Sequence, residues 1–232
     1  MIVKIFRIII LILTINQIQE SVYSQVINST YDKFVDSTKV WFISEHPDYC
    51  RSCILNHSIK FEKDTVINSI HYFTIIDYSR DSTINKVLKR GYIRETTNKK
   101  VYWLTGFFGK QSFEILLYDF DANVNEHFDK WIVTQVDSII IMDIQRKRIH
   151  LVNSCLDQSK IWIEGIGDLS DLLNYQCQPK CDEKTGTIGI TEGCSGFVQT
   201  CVTKNGELIF QNPNYINCWN YNYSNPQKTN NR

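Results

Sequence analysis

The chain has no excess of charge of either sign, since 25 Lys and Arg stand against 25 Asp and Glu. A neutral chain sets up no long-range field for nucleic acid or an anionic membrane, so neither is an expected partner. Long apolar runs are lacking too. The run at the start, Ile8 to Leu13, falls well short of the ~20 apolar residues that a membrane-spanning helix needs. Helical spacing is scarce: only "YDKFVDSTK" (31–39) and "DLSDLLNY" (168–175) place apolar residues at helical intervals, and both are short. The only basic cluster, Arg146-Lys147-Arg148, splits on a strand, with Arg146 and Arg148 on one face and Lys147 on the other. It reads as a solvated strand face rather than a phosphate site.

What is present begins with an export signal. Lys4 and Arg7 flank the start of the apolar run, and Val22-Tyr23-Ser24 follows it, so residues 1–24 read as a secretory signal peptide cut after Ser24. The residue just after the cut is Gln25 rather than a cysteine, which disfavours a lipid anchor. The expectation is a secreted or periplasmic protein, with the cell surface as a further alternative and no stable membrane insertion after cleavage. Residues 25–232 suffice for a single β-rich domain.

All eight cysteines lie beyond residue 24, and an even number in an exported chain argues for disulfides. Five fall in the last quarter, so a disulfide-stapled segment is expected from about residue 175 to 232. Cys201 and Cys218 bracket a hairpin and its return strand and are expected to pair. Cys177 or Cys181 is expected to pair with Cys194. "CRSC" (Cys50 to Cys53) offers a redox pair, half a zinc site completed by Cys177 and Cys181, or a disulfide. The motif lacks the βαβ context of redox pairs, and the compartment is oxidising, so the disulfide is preferred. No metal and no cofactor are expected.

Aromatic and β-branched residues dominate, with turn signals at short intervals. In "HSIKFEK" Ile59 and Phe61 share one side, and "TVINSIHYFTII" reads as two strands around Asn68-Ser69. "GYIRE" and "KVYWL" flank the polar "TTNKK". "FEILLYDF", "WIVTQVDSIII", "RKRIHLV" and "KIWIEGIG" follow, and Asn205-Gly206 between "FVQTCVT" and "ELIF" is the strongest hairpin signal. Consecutive strands on short loops predict an all-β antiparallel meander, curved or barrel-like in preference to a sandwich, with a cysteine-rich C-terminal segment.

The order "IKFEKDTVIN", "GYIRE…KVYWL", "EILLYDF", "VDSI…RKR", "WIEGIG…LL", "NGELIFQNPNY" resembles a family of uncharacterised secreted proteins of Bacteroidota, over most of the chain from about His57. Several members carry a C-terminal secretion sorting domain, which this chain, ending "NYNYSNPQKTNNR", is expected to lack. Asn125 and Glu126 stand where the family usually has a Gly-Asp-Thr turn, and "GIGDLSDLL" replaces a more usual glycine before the leucine pair. The resemblance implies location and architecture but no mechanism.

Candidate chemistry is sparse. "GCSGF" (Gly193 to Phe197) resembles the glycine-flanked serine of hydrolases, yet none of His46, His57, His71, His127 or His150 sits in a partner motif, and a disulfide-pinned turn explains the glycines. Glu114, Asp119 and Glu164 lie in aromatic strands, as glycosidase acids do, but no spacing makes a pair of them. In "KIWIEGIG", alternation puts Ile161 and Ile163 on the core face and Trp162 with Glu164 on the other. There, Trp162 and Glu164 either line a recognition surface or, as preferred, serve structure, with Glu164 paired to Arg94, Arg146 or Arg148. The candidate ligand-binding residues are therefore Trp162, Glu164, Arg94, Trp103 and Tyr118. The function expected is an exported, non-enzymatic binding or surface module for a glycan, peptide or small ligand. A polysaccharide hydrolase and a structural envelope protein are the alternatives.

Overall fold

The computed structural model describes residues 31–46, 54–80, 85–105, 113–153, 158–170, 172–173, 180–182, 187–189 and 196–219. From Tyr31 these belong to one compact unit. They form fifteen strands and, among the described residues, no helix.

The strands are β1 (Lys39–His46), β2 (Leu55–Ile67), β3 (Ile70–Arg80), β4 (Asn85–Glu95), β5 (Lys100–Thr105), β6 (Phe113–Asp119), β7 (His127–Phe128) and β8 (Trp131–Ile141). They continue as β9 (Ile144–Asn153), β10 (Gln158–Ile163), β11 (Gly167–Asp168), β12 (Lys180–Asp182), β13 (Thr187–Gly189), β14 (Gly196–Lys204) and β15 (Glu207–Gln211). Eight make one antiparallel sheet, β15-β14-β1-β2-β3-β4-β5-β6, curled into a half-barrel. Five more make a second sheet, β11-β10-β9-β8-β7, and β12 pairs with β13.

The meander is as expected, but it divides after β6, and β14 returns across the chain to pair with β1. That return has no signature in a local reading. Among the described residues, three two-residue hairpins have positive φ at both turn positions: Asn68-Ser69, Met142-Asp143 and Asn205-Gly206. Positive φ matches the hairpin to the right-handed twist of its strands. Met142-Asp143 carries no such signal in its residue types, so the β8–β9 turn is visible only in the structure. The bond between Cys201 and Cys218, with Cα atoms 5.1 Å apart, ties β14 to the segment after β15, the pair expected from the hairpin. Cys50, Cys53, Cys155, Cys177 and Cys194 lie outside the described residues, as does the side chain of Cys181.

One core joins both sheets. The half-barrel contributes Trp41, Ile43, Ile59, Phe61, Ile75, Ile93, Val101 and Tyr118, and the second sheet Val133, Ile149, Leu151 and Trp162. Segment 31–38, expected to be helical, is irregular, yet it buries Phe34 completely among Trp41, Phe61, Tyr118 and Phe120. After Asp168 of β11, the described part of "DLSDLLNY" is likewise irregular and buries Leu172 and Leu173. Its spacing marks anchors on a loop, because tertiary burial overrides the weak local preference.

"WIEGIGDLSDLL" is where the sheets are latched together. Trp41 Nε1 donates to the Ile166 carbonyl at 2.8 Å, Tyr118 Oη to that of Leu172 at 2.5 Å, and the Gln199 amide to that of Leu169 at 2.9 Å. Beside them, the wholly buried Lys39 ammonium donates to Asp32, Lys33 and Gly165. Asp32 also holds Arg146 at 2.8 Å and Lys204 at 3.0 Å. Arg146 is thus only 2 % exposed, a correction to the solvated basic face expected of that cluster. Burial opposes ionisation of Asp32, but its three cations outweigh it and hold the carboxyl at about 2. Burial also lowers Lys39 to about 8, although Asp32 works the other way.

Candidate functional site

Along β1, β2 and β3 the core-facing positions run Trp41, Ile43, Glu45, then Phe61, Ile59, His57, then Ile75, Asp77. Towards one end of the half-barrel, each strand therefore replaces its next core residue with an ionisable one. The register aligns them, since Ile43 lies opposite His57, Ile59 opposite Asp77, and Glu45 opposite Phe197 of β14.

The fourth member arrives through a bulge. Ile75 pairs with Gly91 and Ile76 with Lys89, so Arg90 is an extra residue in β4. Such a bulge re-aims a side chain. Gly91 makes it feasible with a φ of +122°, where a Cβ would lie 2.7 Å from the Leu104 carbonyl oxygen. Trp103 Nε1 fixes the bulge by donating to the Arg90 carbonyl at 3.1 Å.

The four side chains form a continuous chain of charges. His57 Nε2 is 2.8 Å from Glu45 Oε2, and His57 Nδ1 is 3.0 Å from Asp77 Oδ1. Arg90 donates from Nε and Nη2 to Asp77 Oδ2, at 2.9 and 2.6 Å. With a carboxylate at each ring nitrogen, His57 satisfies both only as the imidazolium, which donates twice. Burial works against that charge, but the bonds to Asp77 and Glu45 prevail and raise His57 to about 9. Burial likewise opposes the Asp77 carboxylate, and His57 and Arg90 hold it below its ordinary range. These groups, with Ile43, Ile59 and Phe197, line a cavity of about 200 Å³. The Asp77 and His57 side chains are 3 % and 9 % exposed, whereas those of Glu45 and Arg90 are 16 % and 31 % exposed.

The residues expected to bind ligand are placed elsewhere. Trp162 is in the core, 5.4 Å from Tyr118 and 5.3 Å from Phe128 between ring centroids. Its cross-strand partner is the buried Ile149, while Ile161 pairs with His150 and is only partly buried. Ile163 is in the core as expected, and Trp162 joins it there instead of taking the opposite face. Both phases of "KIWI" are apolar, and the core takes one residue from each, Trp162 and Ile163. Glu164 is buried, and its carboxylate faces Lys99 at 3.7 Å rather than an arginine. Arg146 reaches only the Glu164 carbonyl oxygen, at 2.9 Å, Arg148 pairs with Asp137, and Arg94 pairs with Glu114. Burial raises Glu164, with Lys99 and Arg146 opposing.

Arg94 lies over the Tyr102 ring at 4.3 Å, and Tyr72 shares its partner Glu114. Trp103 is half-buried against the core, and Tyr118 is a core residue. The three strand carboxylates are each held by a different cation: Glu114 by Arg94, Asp119 by Lys100 and Glu164 by Lys99. Ser195 of "GCSGF" lies outside the described residues. Among the described residues, no group of three or more His, Cys, Asp or Glu is placed to hold a metal ion.

Glu45, His57, Asp77 and Arg90 were not singled out as ligand-binding residues, although the sequence holds a signal for three of them. Each is an ionisable residue in phase with two apolar ones, as in "WFISE", "HSIKF" and "FTIID". Arg90 has no such signal, because its place depends on the bulge. No family model, curated protein or solved structure matches this chain.

Proposed function

We propose that this chain is an exported, non-enzymatic binding module that takes a small ligand in the cavity between Phe197 and Arg90. It would be kin to the secreted Bacteroidota proteins that its strand order resembles. The observation carrying this is the cavity's composition: an apolar wall of Ile43, Ile59 and Phe197 beside a fixed row of charged groups. Apolar contact with a few placed polar groups is how small-molecule sites combine affinity with orientation. A general base needs an imidazole nitrogen that can reach substrate. Both nitrogens of His57 face carboxylates, so the histidine serves to position its neighbours. The Cys201–Cys218 bond fits the export expected from residues 1–24.

A screen of metabolites and glycans against the exported protein, read by melting temperature, tests the reading. Ligands should raise the melting temperature of the wild type and lose that effect in Arg90→Ala. A screen in which every stabilising ligand acts equally on both proteins would overturn it. N-terminal sequencing of the exported chain should begin at Gln25.

A further inference from the structure

We propose that the cavity's ligand is a single neutral, hydroxyl-rich ring of monosaccharide size, either free or at the end of a glycan. This rests on the cavity being a binding site and adds the chemistry that would fill it.

Charge comes first. The polar row reads Glu45, His57, Asp77, Arg90, two anions alternating with two cations. An anion drawn to Arg90 meets the two carboxylates of the row, and a cation drawn to Glu45 meets His57 and Arg90. A compensated row gives neither ion a net advantage, whereas a neutral ligand escapes both repulsions. A hydrocarbon is disfavoured for the opposite reason, because it would take water from Glu45 and Arg90 and return no hydrogen bond.

Hydrogen-bonding geometry narrows the class. The two more exposed members of the row are a carboxylate, which only accepts, and a guanidinium, which only donates. A hydroxyl does both, so a ring bearing several can answer each. Asp77 grips Arg90 and His57 grips Glu45, which holds both side chains ready. Preorganised groups lose little freedom when a ligand arrives.

Shape supplies the rest. Phe197, Ile43 and Ile59 offer an apolar wall to the C–H face of a sugar ring, as aromatic side chains at amphipathic sites do. The space of about 200 Å³ lies below the ~300 Å³ at which pockets for drug-sized ligands begin. That leaves room for one ring and none for an oligosaccharide inside.

The test is a titration of the full exported chain followed through the ring signals of His57 by NMR. Glucose, galactose, mannose and N-acetylglucosamine are the sugars, joined by their methyl glycosides and by lactose. Inorganic phosphate, leucine and cyclohexanol are the comparators. At least one sugar should shift the His57 signals saturably, and the comparators should not. Arg90→Ala should weaken that sugar at least tenfold. Phe197→Leu, which keeps the wall apolar but removes the ring, should weaken it severalfold and serves if Arg90→Ala does not fold. Equal binding of the methyl glycoside or lactose would assign the site to a glycan end, and loss of binding would assign it to the free sugar. Shifts from a comparator without any sugar would overturn the sugar and keep the binding site. No shift from any probe would overturn both.

Discussion

His57 and Asp77 meet across β2 and β3 at 3.0 Å, and the same imidazole reaches Glu45 through its other nitrogen at 2.8 Å. The ring titrates near 6.5 when unfolded and at about 9 in the fold, so the fold binds the extra proton between those values. This contribution is full below about 6.5, declines as pH rises, and is gone above about 9. It amounts to something on the order of 3 kcal/mol. Lys39, which titrates at about 8 in the fold, acts in the opposite sense between there and its ordinary 10.5. The readout is therefore the difference in melting temperature between wild type and His57→Gln from pH 6 to 10. The wild type's advantage should shrink steadily, and a constant gap would show that the imidazolium is not the stabilising species.

Glu164 and Trp162 separate under mutation. Glu164 faces a part-exposed Lys99 at 3.7 Å, and Arg146 holds its carbonyl rather than its carboxylate. Glu164→Gln should thus cost less than about 1 kcal/mol, because a long contact to a part-exposed lysine contributes little. Trp162→Ala empties a core position between Tyr118 and Phe128 and should cost about 3–5 kcal/mol. Urea unfolding of both variants measures the contrast, and equal losses would contradict it.

Among the described residues, Asp32 is the carboxylate that forms a salt bridge with the fully buried Lys39 ammonium, at 2.9 Å. Asp32→Asn keeps the shape but leaves Lys39 and Arg146 buried without their counter-charge. A loss of about 3–5 kcal/mol is expected. In the wild type, the depressed Asp32 contributes stability that is present above its ordinary 3.8 and lost as pH falls towards about 2. Acid unfolding should be shallower in the variant between those values, and an unchanged acid limb would refute this.

Gly91 shapes the bulge that places Arg90, without itself lining the cavity. A Cβ there would meet the Leu104 carbonyl and Trp103 Nε1, both at 2.7 Å, in a conformation that L side chains rarely adopt. Gly91→Ala should lower stability by about 1–3 kcal/mol. It should also move the Trp103 indole N–H resonance as the bond to the Arg90 carbonyl is lost. An unmoved resonance would mean that the bulge does not depend on the glycine.

Local sequence was enough for whatever depends on neighbouring residues. Alternation in "HSIKF" and the turn at Asn205-Gly206 announced antiparallel strands, because side-chain period and turn conformation are set within a few residues. The partners of Cys201 and of most strands followed from short loops for the same reason. What the chain could not show locally came from contacts between distant segments. Trp162 could face either way until Ile149 of β9 lay opposite it. Phe34 sat in a helix-like pattern until four aromatic rings enclosed it. Ionisable residues in phase with core positions were visible at Glu45, His57 and Asp77. Their union into one row required three strands in register and a bulge to bring Arg90. Periodicity tells which side of a strand a residue occupies. Only the packed structure tells what that side meets, because burial and charge pairing are settled between strands rather than along them.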